Sequence, residues 1–192
     1  MSASASGNAP APRIEPMPPF ATLRETETAV GDRTGHLSID FPAMHALSSL
    51  HRAANAVRTY MTNTVLRDRD ISWTGFVVLW SVWIYDGMPT WQAAESAGIS
   101  KATLTGVVRT LESRGWIERT VDSQDRRLIN LGLTEAGRAL MEEIFPAFNA
   151  VEADVVADLP DRKVKDLTTS LRRIVERIER LDPGTAPTEK PA

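Results

Sequence analysis

The fold turns on Pro89-Thr90-Trp91-Gln92-Ala93-Ala94-Glu95-Ser96-Ala97-Gly98-Ile99-Ser100-Lys101-Ala102-Thr103-Leu104-Thr105-Gly106-Val107-Val108-Arg109-Thr110-Leu111-Glu112-Ser113-Arg114. Pro89-Thr90 opens a short helix to Ala97, with Gly98 beyond it as a C-terminal stop. Ser100 caps a second helix that runs to Ser113, and Gly115 ends it. Two short helices that cross steeply need small residues where they touch and an apolar face holding the second one down. Ala94 and Ala97 supply the small contact, and Ile99, Leu104, Val107, Val108 and Leu111 supply the face. At 100° per residue, Ala102, Thr103, Gly106, Arg109, Thr110 and Ser113 point outward. That outer face is short, polar and nearly free of acids, which suits a DNA major groove. An ordinary helical hairpin has the same apolar pattern.

Downstream the period changes from helical to alternating. Trp116-Ile117-Glu118-Arg119-Thr120-Val121 and Leu128-Ile129-Asn130-Leu131-Gly132-Leu133 read as two strands, with Asp122–Arg127 at the hairpin tip between them. Asp125, two residues before Arg127, is placed to hold that guanidinium through a charge-assisted bond. An arginine at such a tip, beside a DNA-reading helix, suits the negative potential of a neighbouring minor groove. Taken alone, the run is a solvated charged turn. Two strands are marginal by themselves, so the ribbon must lean on the preceding helices. Thr134 then caps a long helix, which Pro146 is expected to kink. After Pro160-Asp161, Leu167, Leu171, Ile174, Ile178 and Leu181 stripe a last helix.

Upstream, Leu47, Leu50, Ala54, Val57, Met61 and Val65 recur at helical spacing from Met44. Ser72 or Thr74 caps a second helix through Tyr85, closed by Asp86-Gly87. Trp73, Phe76, Trp80 and Trp83 form one aromatic stripe on it, and Val77, Val78, Leu79 and Ile84 fill its other faces. A helix apolar nearly all round is buried against several partners. The stripe therefore reads as core; that part of it walls a small-molecule pocket is the sharper alternative.

Composition narrows the classes. The 192 residues suit one compact domain or two small ones, and the absence of cysteine excludes disulfides, thiolate metal sites and cysteine-based redox sensing. No apolar run approaches ~18 residues, and no basic region precedes an apolar stretch at the N-terminus. A soluble, cytoplasmic protein without membrane contact is the expectation. The formal net charge of −3 speaks against nucleic acid until it is located. Residues 99–138 hold seven basic and five acidic side chains, whereas residues 139–192 hold eight and eleven. A local basic surface is enough, because phosphate attraction acts over a Debye length of ~8–10 Å. Five of the twelve prolines lie in residues 1–19 and three in the last ten, so both ends read as disordered tails. Residues 1–40 are a largely disordered extension on this reading, within which Phe20 to Val30 has the pattern of a short helix. Residues 183–192 are a disordered tail.

The runs Gly98-Ile99-Ser100-Lys101-Ala102-Thr103-Leu104-Thr105 and Leu111-Glu112-Ser113-Arg114-Gly115-Trp116-Ile117-Glu118-Arg119 carry a resemblance. So do Asp122-Ser123-Gln124-Asp125-Arg126-Arg127 and Leu131-Gly132-Leu133-Thr134-Glu135-Ala136-Gly137, in the same order and without a gap. Together, over roughly residues 44–181, they resemble the MarR-type winged helix–turn–helix regulators. The resemblance implies a mostly α fold with a small two-stranded β wing. It implies a DNA-binding lobe at 71–134 and a helical dimerisation region at 41–70 and 135–182. A triangular homodimer would place each recognition helix in a major groove, and each wing in the adjacent minor groove, of a pseudo-palindromic site on double-stranded DNA. By position, Ser100, Lys101, Thr103 and Thr105 begin the recognition helix, with Arg109 further along. Arg126 and Arg127 are the wing arginines, with Asp125 orienting Arg127. Two positions depart from the family: Gly106 stands where many members carry a basic or polar side chain, and Gln124 replaces a frequent arginine.

Members often bind small aromatic acids or phenols, and ligand-responsive repression is the family default. The corresponding region here would be lined by His45, His51, Arg52 and Tyr60, with Trp73, Trp80 and Trp83. An arginine among aromatics suits an aromatic carboxylate. An enzyme is not expected, nor is a cofactor. The three histidines, His36, His45 and His51, have no helical pair spacing, and no phosphate loop or nucleophile elbow is present. The remaining alternatives are a winged helix that binds protein, or an activator of the same family.

Overall fold

The computed structural model describes residues 22–122 and 125–181. The chain forms two units, residues 1–55 and 56–192.

In the first unit, α1 (Leu23–Thr34) starts at Thr22, whose hydroxyl accepts the Glu25 backbone N–H at 3.2 Å. The Glu25 carboxylate in turn accepts the Thr22 backbone N–H at 2.7 Å, completing a capping box. These hydrogen bonds, the backbone one first, hold the Glu25 carboxyl below the usual glutamate range. The extension expected to be largely disordered thus contains a capped helix that starts at Thr-x-x-Glu; Phe20, with which the expected helix began, lies outside the described residues. Asp40 accepts the Ala43 N–H at 2.9 Å where α2 (Phe41–Met61) begins, a turn earlier than Met44. Phe41 and His45 meet edge to face at 6.1 Å on its first turns.

The second unit opens on the end of α2. A wide π turn (Thr62–Leu66) and a 3-10 turn (Arg67–Arg69) follow and stop at Asp70, whose φ of 50° ends the helical path. Ser72 accepts the Gly75 N–H at 3.0 Å to cap α3 (Trp73–Ile84). Then come β1 (Met88–Pro89), α4 (Thr90–Ser96), α5 (Lys101–Ser113), β2 (Ile117–Val121), β3 (Ile129–Leu133), α6 (Glu135–Val155) and α7 (Asp161–Leu181). The sheet is antiparallel in the order β1-β3-β2, pairing Met88 with Leu131 and Ile117 with Leu133. The expected two-stranded wing is therefore part of a three-stranded sheet: Met88-Pro89, read as the lead into a helix, braces β3. Pro89 is tolerated because β1 is an edge strand, where a missing N–H breaks no ladder.

Helix α3 sits at the centre of the core. Val78, Leu79 and Val82 are buried with Leu104, Val108 and Leu111 of α5, Ile117 and Leu131 of the sheet, and Leu140, Met141, Ile144 and Phe148 of α6. Phe76 stacks on Phe148 at 4.2 Å between centroids, about 1 kcal/mol beyond simple burial. This core crosses the division expected between residues 134 and 135, because the first half of α6 belongs to it. Helix α6 runs past Pro146 without a break. The carbonyl deprived of its donor there belongs to Glu142, an exposed residue.

Candidate nucleic-acid interface

The turn between α4 and α5 is set by Gly98, whose φ of +61° continues the chain in a left-handed step. Its N–H donates to the Glu95 carbonyl at 2.9 Å and the Ile99 N–H to Ala94 at 3.0 Å, a pattern that closes a helix C-terminus. Ile99 then packs against the core, and Ser100 caps α5 by accepting the Thr103 N–H at 3.1 Å. Leu104, Val108 and Leu111 face inward, leaving Lys101, Ala102, Thr103, Thr105, Gly106, Arg109, Thr110 and Ser113 exposed. All six positions that a 100° projection points outward are exposed, and Lys101 and Thr105, which it does not include, are exposed as well. Glu112, the acid of this helix, pairs with Arg119 of β2 at 2.9 Å.

The wing tip is held by two aspartates. Asp122 closes the ribbon by donating its N–H to the Leu128 carbonyl at 3.0 Å, while its carboxylate accepts the Asp125 N–H at 2.9 Å and the Asn130 side-chain amide at 3.0 Å. Asp125 accepts the backbone N–H of Arg127 at 3.0 Å. This corrects the expected contact, in which Asp125 held the Arg127 guanidinium: the carboxylate fixes the backbone at Arg127 and leaves the side chain exposed. An aspartate bonding its own chain two residues on is a turn device. The part played by Asp122 and Asn130 escaped the sequence reading, although an Asp ending a strand signals such a turn. Gln124 and Ser123 lie outside the described residues. Lys101, Arg109, Arg126 and Arg127 form no ion pair among the described residues.

Other arginines are committed to the scaffold. Arg114 pairs with Asp70, donates to the Arg69 carbonyl at 2.9 Å and lies 4.9 Å over the Trp116 ring. Arg138 reaches Asp86 at 3.1 Å, and Arg69 pairs with Glu143 of α6. Asp70 and Asp86 both have positive φ and both hold an arginine, so these two turns are tied to α5 and α6. Pairs separated this far in sequence leave no local signal.

The residues expected to line an effector region divide between the two units. In the first, His45 is half-buried, His51 and Arg52 are exposed, and His51 shares a 2.9 Å hydrogen bond with Asn55. In the second, Trp73 leans on Phe76 and Phe148, and Trp83 meets Phe145 edge to face at 5.4 Å. Trp80 and Tyr60 are exposed. The aromatic stripe is thus split, with Trp73, Phe76 and Trp83 packed onto α6 and Trp80 left outside. Among the described residues no helix is long and apolar enough to cross a membrane, and no cluster of three or more His, Asp or Glu could hold a metal.

A helix–turn–helix followed by a β wing on a helical core defines the winged-helix regulators. The MarR family model matches residues 71–129. The HTH-type transcriptional regulator YwaE of Bacillus subtilis (strain 168) is 32% identical over 141 residues, covering 73% of this chain and 82% of the relative. The chain belongs to the MarR family of transcriptional regulators. Among solved structures, NadR in complex with 4-hydroxyphenylacetate is 25% identical, with a TM-score of 0.59 over 66% of this chain and 89% of that one. A mutant of MarR from E. coli, complexed with operator DNA, shares the fold at a TM-score of 0.62 and 23% identity, over 71% of this chain and 99% of that one. The family is one of transcriptional regulators, not of enzymes.

Proposed function

We propose that the chain is a ligand-responsive repressor that binds a pseudo-palindromic operator as a homodimer. In this reading α5 enters the major groove with Ser100, Lys101, Thr103, Thr105 and Arg109. The wing sets Arg126 and Arg127 into the adjacent minor groove. The observation that carries it is the placing of cations: Lys101 and Arg109 on α5 and Arg126 and Arg127 on the adjoining wing are exposed and form no ion pair among the described residues, while Glu112, the acid of α5, is taken up by Arg119. Unpaired cations on an acid-poor face are what phosphates and base edges require. The homodimer is supported by α7, none of whose residues is buried and whose Leu167, Val175, Ile178 and Leu181 are exposed. The ligand response is supported by the fold shared with NadR, solved with an aromatic acid, and by the exposed Trp80 and Tyr60 as stacking surfaces.

Electrophoretic retardation of DNA flanking the coding region tests this. Affinity is expected to fall steeply with salt, and Arg127→Ala to weaken binding and flatten the salt slope by about one unit. A small aromatic acid is expected to release the DNA; retardation unchanged across a panel of such acids removes the ligand response and leaves DNA binding standing. Absence of retardation even at low salt sinks the DNA reading and favours a winged helix that binds protein.

A further inference from the structure

The hydroxyls along the outer side of α5 are engaged with their own helix. Ser100 Oγ and Thr103 Oγ1 share a 2.9 Å bond, and Thr105 Oγ1 donates to the Lys101 carbonyl at 3.0 Å. Thr110 Oγ1 donates to the Gly106 carbonyl at 3.2 Å, and Ser113 Oγ to the Thr110 carbonyl at 2.8 Å. Thr103 and Thr105 remain exposed; the Thr105 hydroxyl proton is spent on its own helix and the Thr103 hydroxyl is engaged with Ser100, either of the two donating, and each side chain also carries a methyl group that a base edge can meet. Beside them stand the exposed methyl of Ala102 and Gly106, where an added Cβ would meet nothing within 4 Å. Lys101 and Arg109 are the strong side-chain donors on this surface.

Bases differ in what they ask of such a face. Guanine O6 and N7 need donors; thymine presents a C5-methyl, which is met by apolar groups, commonly alanine or the threonine methyl. The N-terminal residues of a recognition helix are those that reach base edges. We propose that the first half of α5 reads thymine through its C5-methyl groups, using Ala102, Thr103 and Thr105. Each half-site then presents A·T pairs under these residues. This rests on the DNA contact proposed above and adds the base class that the contact selects.

The test is selection of sites from a random double-stranded DNA library by the full chain. Single thymines in the recovered site are then replaced by deoxyuridine, which removes only the C5-methyl. A·T pairs are expected to dominate the positions under α5, and deoxyuridine at two or more of them to weaken binding about fourfold each. Thr103→Ser and Thr105→Ser keep the hydroxyl and lose the methyl, so each should abolish the deoxyuridine penalty at its own position, while Arg109→Ala should preserve it. Guanine-rich half-sites, or full affinity for the deoxyuridine sites, with tight binding retained, overturn thymine reading and leave DNA binding intact. Failure to enrich any sequence, with no binding at low salt, overturns both.

Discussion

A Cβ at Gly137 would lie 2.0 Å from the carbonyl oxygen of Trp116, and that oxygen cannot retreat. It accepts the Thr134 N–H at 3.1 Å, while the Thr134 hydroxyl donates to the Gly115 carbonyl and caps α6 through the Gly137 N–H at 3.0 Å. The first turn of α6 is thus laid directly on the start of β2. Gly137→Ala gains about 1 kcal/mol of helix propensity, but pushing two hydrogen-bonded backbones apart costs about 2–3 kcal/mol more than that gain. A melting temperature lower by roughly 5–10 °C is expected. Gly106→Ala is the control with the opposite sign: nothing stands near its Cβ, so the same substitution should stabilise by about 0.5–1 kcal/mol. Calorimetry on both variants decides it, and a Gly137→Ala chain as stable as the parent would refute the close approach. From the sequence, Gly137 is legible only as part of a helix start that resembles a family motif. The distance to Trp116 is a tertiary fact.

At the scale of the element, the wing tip depends on one carboxylate that accepts from two sides. Asp122 joins the Asp125 backbone to the Asn130 side chain, and Asp125 then fixes the backbone of Arg127. Asp122→Ala removes these two contacts, one of them to the part-buried Asn130 amide, so stability should fall by about 1–3 kcal/mol, too little to unfold the chain. DNA affinity should nevertheless drop several-fold, because Arg126 and Arg127 must then be ordered at the moment of binding. Asp122→Asn, which keeps one acceptor oxygen, should recover part of the loss. Equal affinity for parent and Asp122→Ala would show that the tip needs no preordering. The caps Ser72, Ser100 and Thr134 are legible in the chain because each signal is local. Strand β1 is not, because two residues carry no alternation and Pro89 argues against a ladder. Spacing points Asp125 at the wrong atom of Arg127 for a related reason: it brings two side chains near each other but does not say which way the turn aims them.

For the whole molecule, the formal charge of −3 conceals where the unpaired cations lie. One copy offers a single α5 face and two wing arginines, a small electrostatic footprint followed in the chain by the acidic residues 139–192. Two copies on one duplex double that footprint, and joining two half-sites through a protein interface raises affinity by roughly 10²–10⁴ without any new contact type. Helix α7 is the surface in the second unit suited to make that join. Leu167, Val175, Ile178 and Leu181 are exposed on it, and Leu171 and Ile174 are half-buried beside them. An apolar stripe of this length left in water is costly and prone to association. Leu167→Glu with Ile178→Glu should therefore yield a soluble monomer by light scattering, with the α3–α6 core and its melting behaviour kept largely intact. Its affinity for a full operator should fall at least 100-fold, to about that of the parent for a duplex carrying one half-site. A double variant that remains dimeric would move the interface off α7. A monomeric variant that binds the full operator as tightly as the parent would show that the two half-sites are not read together.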